Sequence, residues 1–141
     1  MSLIPQVTEM VHKYAQSVGL TKEQCFNPSN NTWHWKMGSA PIEILFNKIE
    51  IKPGQFREYL RVFSPLLEVP KANECVLYKH LLTLNDNYLG VKLTVSSNNW
   101  VYATYERDLI GMDYEETKTC ISDLELWADH LDDILKDQFA R

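Results

Sequence analysis

Long apolar runs are missing from this chain. None approaches the roughly 18 residues that a membrane-spanning helix needs, so no membrane role is expected. The opening residues Met1-Ser2-Leu3-Ile4-Pro5 lack a basic n-region and an apolar h-region, so they do not read as a signal peptide. Cysteine is scarce: Cys25, Cys75 and Cys120 are odd in number and lie 50 and 45 residues apart, which excludes a disulfide framework. Free thiols fit a reducing compartment, and a cytoplasmic location is the expectation. The five glycines, Gly19, Gly38, Gly54, Gly90 and Gly111, are isolated, so there is no phosphate-cradling loop and no Gly-x-Ser-x-Gly elbow.

Metal-ligand spacing is absent as well. His12, His34, His80 and His130 form no i,i+3 or i,i+4 pair, and neither Cys-x-x-Cys nor His-Glu-x-x-His occurs. His130 stands beside Asp129, Asp132 and Asp133, which read as a solvated acidic helix end. Glu106, Asp108 and Asp113 bracket a strand-to-helix turn, but nearness in sequence does not make a general acid and base. No catalytic residue, metal or cofactor is expected, and the chain does not read as an enzyme.

Clustered lysine and arginine are also lacking. Residues 113–141 hold nine acids against Lys118, Lys136 and Arg141, a net −6 within a total of −5. Nothing there would neutralise phosphates, so nucleic acid is not an expected partner.

What remains is an ordinary globular composition, 45% hydrophobic and 23% charged, over a length suited to one domain spanning 1–141. Ile4, Val7, Val11, Tyr14 (or Ala15) and Val18 predict a first helix that ends at Gly19. Thr21–Asn31 is polar and reads as a loop. Trp33, Trp35 and Met37 then alternate with His34 and Lys36, and Ile42, Ile44 and Phe46 continue the period of two. With a turn at Pro53-Gly54 and a further strand over Phe56–Phe63, this predicts an antiparallel meander. Ser64-Pro65 and Pro70 bracket a change of period. Leu77, Leu81 and Leu84 then predict a helix over Ala72–Asn85, ended by Asn85, Asp86 and Asn87.

Two more strands are expected where Leu89, Val91, Leu93 and Val95 alternate, and again over Val101, Ala103 and Tyr105. Asp113 reads as the N-cap of the last helix, with Glu116 at the third helical position. Its stripe is Thr117, Ile121, Leu124, Ala128, Leu131 and Leu135. The expected fold class is α+β: a five-stranded antiparallel sheet with three helices, in the order α-β-β-β-α-β-β-α.

Two features bear on partners. Aromatic residues gather on the strands and the last helix, as Trp33, Trp35, Tyr88, Trp100, Tyr102 and Trp127. The strand carrying Trp100, Tyr102 and Thr104 is bulky on both faces. Either helices cover both faces or one presents an aromatic surface, for which Trp33, Trp35, Trp100 and Tyr102 are the candidates. On the middle helix, Leu84, Leu77, Leu81, Tyr78, Leu82 and Cys75 spread over an arc of about 180°, wider than one core-facing stripe needs. Neighbouring loops could cover the surplus, or Cys75, Tyr78 and Leu82 could meet a partner or a second subunit.

Three segments together resemble a known family. They are Ser64–Pro70 leading into Leu77–Asn85, then Glu106–Asp113, then Trp127–Leu135. This progression resembles the YbjN-type domains, which look like the type III secretion chaperone fold. The resemblance implies an α+β domain, commonly dimeric, that binds protein rather than converting a substrate. Secretion chaperones of this fold hold an unfolded segment of a client, whereas YbjN-type proteins are linked to stress and sensory regulation. The expected function is thus a non-enzymatic chaperone or regulatory adaptor, homodimeric, with a protein client or regulatory partner. The alternative is a small-molecule sensor with a pocket between sheet and helix, lined by Trp33, Trp35 or Trp100.

Overall fold

The first apolar repeat forms helix α1 (Ile4–Ser17), with Pro5 in the first turn, where its missing N–H costs nothing. The computed structural model describes residues 1–87 and 90–139. Where a loop was expected, the chain makes a one-turn helix α2 (Lys22–Cys25) and a two-residue strand β1 (Phe26–Asn27). Thr21 accounts for α2. Its hydroxyl accepts the Gln24 backbone N–H, and the Gln24 side chain accepts the Thr21 backbone N–H.

Strands β2 (Thr32–Met37), β3 (Ala40–Lys52) and β4 (Gln55–Glu68) form the expected meander. Strand β4 runs past Ser64-Pro65, where a change of period was expected. The register shifts between Pro65 and Leu67, a bulge that accommodates a residue unable to donate to the ladder. Helix α3 (Glu74–Asn87) continues through Asn85 instead of ending there. Strands β5 (Lys92–Val95) and β6 (Trp100–Asp108) and helix α4 (Tyr114–Phe139) complete the chain. Tyr88 and Leu89, assigned above to the strand region after α3, lie outside the described residues. Asp113 caps α4 as expected, its carboxylate accepting the Glu116 backbone N–H at 2.8 Å.

The six strands lie in the order β1-β2-β3-β4-β6-β5, and every pairing is antiparallel. The class is therefore α+β, with α2 and β1 added to the expected elements. Trp33, Trp35, Ile42, Ile44, Leu60, Val62, Val101, Ala103 and Leu93 share one sheet face and are buried. The stripe of α4 lies against them, with α1 beside it and α3 over β5. On the opposite face Leu45, Arg61, Phe63 and Tyr102 are half-buried, the pattern of an antiparallel sheet packed on one side.

Gly38 and Gly54 both turn hairpins at positive φ, +62° and +79°, but only at Gly38 would a Cβ meet a neighbour, the Asp129 carboxylate 2.5 Å away. Gly54→Ala should therefore cost about 1 kcal/mol for backbone strain alone, and Gly38→Ala about 2 kcal/mol because Asp129 must also move. Urea denaturation of the two variants side by side checks the order; equal losses would contradict the contact.

Candidate binding surfaces

One carboxylate on the apolar stripe of α4 joins the helices to the sheet. Glu125 is 6% exposed, and its two oxygens accept from the Tyr14 hydroxyl of α1 and from Trp35 Nε1 of β2, the latter at 2.8 Å. Burial first, and then the bond to Glu125, push the Tyr14 hydroxyl above its ordinary range, so it stays a donor. Further along α4, Asp132 accepts from the Ser39 hydroxyl at 2.9 Å and meets Lys136 at 2.8 Å. Sequence reasoning missed this polar seam. The available signal was an acid at position 125, adjoining Leu124 and three residues from Ala128 on the apolar stripe.

The expected aromatic surface divides and needs correcting. Trp33 and Trp35 are 1% and 6% exposed and belong to the core beneath α1 and α4, because β2 points its odd-numbered side chains at the helices. Trp100 and Tyr102 lie on the opposite face, half-buried. There Tyr102 sits 5.9 Å from Phe63, and the Arg61 guanidinium 5.4 Å from the same ring. Burial opposes the charge on nearby Glu106, but the Lys92 ammonium, then Arg61 and the Asn47 amide, hold its carboxyl below the usual range. Among the described residues, four surface depressions near Met1, Gln16, Pro70 and Tyr78 are lined by none of Trp33, Trp35 and Trp100, the residues expected to line a sensor pocket.

The sheet ends in two different edges. At β5, Asn85 of α3 clasps the backbone: its side chain accepts the Leu93 N–H at 2.6 Å and donates to the Leu93 carbonyl at 3.0 Å. That edge is closed at its centre. At the other end, β1 pairs only with Thr32 and Trp33 of β2. Among the described residues, no strand pairs with the outer side of His34–Met37, and His34, Lys36 and Met37 are exposed.

Helix α3 buries only part of its wide apolar arc. Leu77 and Leu81 are core residues, whereas Val76 and Leu82 are 60% and 69% exposed. Cys75 is exposed beside them, and Tyr78 is half-buried. Tyr78, Leu81, Leu82, Leu93 and Val95 line a shallow groove of about 320 Å³ between α3 and β5. Of the expected partner residues, Cys75 and Leu82 are exposed on α3, whereas Tyr78 is half-buried and packs partly against the core. The remaining thiols are inert: burial pushes Cys25 up, and Cys120 up to about 12.

Among the described residues, no three His, Cys, Asp or Glu side chains come together as a metal site, and no helix is long and apolar enough to cross a membrane. No protein-family model matches the chain, and no curated protein matches it in sequence. Similarity lies in shape. A chain of the ExsC-ExsE complex superposes with a TM-score of 0.68 at 13% identity, over 96% of this chain and 97% of that one. A chain of the HopA1-SchA chaperone-effector complex gives 0.63 at 11% identity, over 93% and 94%. A chain of the heterodimeric ExoU-SpcU complex, from the type III secretion system of Pseudomonas aeruginosa, gives 0.60 at 17%, over 90% and 98%. This is a type III secretion chaperone-like fold. At such identities the likeness is one of architecture, and it extends over nearly the whole chain.

Replacing Glu125 with Gln keeps the shape but turns one acceptor into a donor facing Tyr14 or Trp35. Glu125→Gln should cost about 1–3 kcal/mol, read as a lower urea midpoint with an unchanged slope. An unaltered midpoint would mean that the buried carboxylate does not hold the helices to the sheet.

Proposed function

We propose that this chain is a non-enzymatic protein-binding module, a chaperone or regulatory adaptor, that holds an extended segment of a client protein against the bare edge of β2. The observation that carries this is the unpaired outer side of His34–Met37, standing in contrast to the β5 edge that Asn85 closes. An added strand would gain main-chain hydrogen bonds there, and the exposed His34, Lys36 and Met37 would bear on which segments fit. The fold shared with chains of the ExsC-ExsE, HopA1-SchA and ExoU-SpcU complexes supports a protein partner. The finer placement among YbjN-type domains and a cytoplasmic location belong to the same reading.

The second element is a homodimer formed through α3. Its exposed Val76 and Leu82, with Val95 on the neighbouring strand, form an apolar face at the end of the sheet opposite to β2. A second copy can meet it by two-fold symmetry, each groove receiving the other's Leu82. This leaves both β2 edges free for clients.

A pull-down of the tagged chain from its native lysate should yield one partner in near-stoichiometric amount. With that partner bound, outward-facing amides of His34–Met37 should exchange more slowly; unchanged exchange there would remove the β2 edge as the site. Leu82→Glu should halve the native mass while leaving the fold intact, and an unchanged mass would exclude α3 as the dimer interface.

A further inference from the structure

Strand β1 covers the outer edge of β2 at Thr32 and Trp33, and an aromatic cluster around a buried histidine holds it there. His12, on α1, is 5% exposed. Its ring meets Phe26 of β1 edge-on at 4.6 Å and Trp33 of β2 at 5.4 Å. Phe26 and Trp33 stand 4.8 Å apart, so the three rings close on one another. Trp33 Nε1 donates to His12 Nδ1 at 3.3 Å. That bond requires the neutral imidazole, since a proton on Nδ1 would set one N–H against another.

The charged groups around the ring reinforce the point. Burial, and then the Lys22 ammonium on α2, hold the imidazole below its ordinary pKa, while Glu9 on α1 acts in the opposite sense. The residues of β1 and β2 that touch it, Phe26 and Trp33, bring rings and no charge.

From this cluster we infer that β1 is an acid-opened latch on the β2 edge, released when His12 takes up a proton. Opening frees the outer side of Thr32 and Trp33 and lengthens the bare edge that His34–Met37 already offers. The cost is local, because β1 has only two paired residues and α2 a single turn. The sign follows from which state holds the proton. The closed state resists it, whereas the open state returns His12 to water and to a pKa of about 6.5. Opening therefore grows as pH falls below about 6.5, by up to about tenfold at one pH unit beneath it.

The value of such a latch to a client rests on the β2 edge being the binding site, but its test does not. Amide exchange of the chain alone, corrected for its intrinsic pH dependence, is compared at about pH 7.5 and about pH 5.5. Protection at those amides of β1 and of Thr32–Trp33 that bond between the two strands should fall by up to about tenfold in acid, while Leu60 and Val62 in the sheet centre hold theirs. His12→Asn keeps an acceptor near the position of Nδ1 and cannot titrate, so its latch should stay closed at both values. Phe26→Ala, kept in case that variant fails to fold, should show the same low protection at both. Equal acid responses in the parent and in either variant, or none in the parent, would overturn the latch. A latch that opens in acid beside a client-bound edge that gains no protection would sink the client site alone.

Discussion

Glu125 carries a negative charge into the apolar layer between the helices and the sheet, where an unpaired carboxylate would cost several kcal/mol. It is tolerated because donors reach it from two different elements, Tyr14 on α1 and Trp35 on β2. That requirement fixes three things together: the rotation of α4 about its axis, the position of α1 beside it, and the face that β2 turns inward. Apolar contact alone is less selective, since Leu124, Ala128 and Leu131 would pack in several rotations. Towards the C-terminus the seam continues to the β2–β3 turn, where Ser39 bonds Asp132 and the Asp129 carboxylate fills the space beside Gly38.

The edges of the sheet follow from this arrangement. With Trp33 and Trp35 committed to the core, β2 has only His34, Lys36, the terminal Met37 and its outer backbone to show. The chain before it offers just two residues of cover, because α2 and the turn over residues 28–31 use the rest. At the opposite end, α3 lies close enough to β5 for Asn85 to satisfy Leu93. One edge is thereby sealed by a side chain and the other is left partly bare. The open sheet face is quieter: its Lys92–Glu106 and Phe63–Tyr102 contacts cross neighbouring strands, and Arg61–Phe63 runs along β4.

Apolar periodicity made most of the architecture legible. The stripe of α4, the alternation in β2 and β3 and the turn at Pro53-Gly54 each state their element locally, because each depends on spacing along one segment. The misplacements occurred where a long-range partner overrides a local signal. Pro65 reads as a strand end until a bulge against β6 absorbs it. Asn85 reads as a helix breaker until it is seen bonded to β5. Thr21 and Gln24 hold a reciprocal cap that was written in the sequence but too short to read as a helix.

By itself the sequence determined the class of fold, the order of the elements other than α2 and β1, the wide apolar arc of α3 and the absence of motif-level chemistry, since these are properties of composition and period. Only the tertiary structure decided which aromatics are core and which are surface. A period of two states that a strand has two faces, but not which face the helices will take. It likewise decided which sheet edge is closed and placed His12 between Phe26 and Trp33. Contacts across 21 residues, or across 90 as in Trp35–Glu125, leave no periodic trace in a single chain.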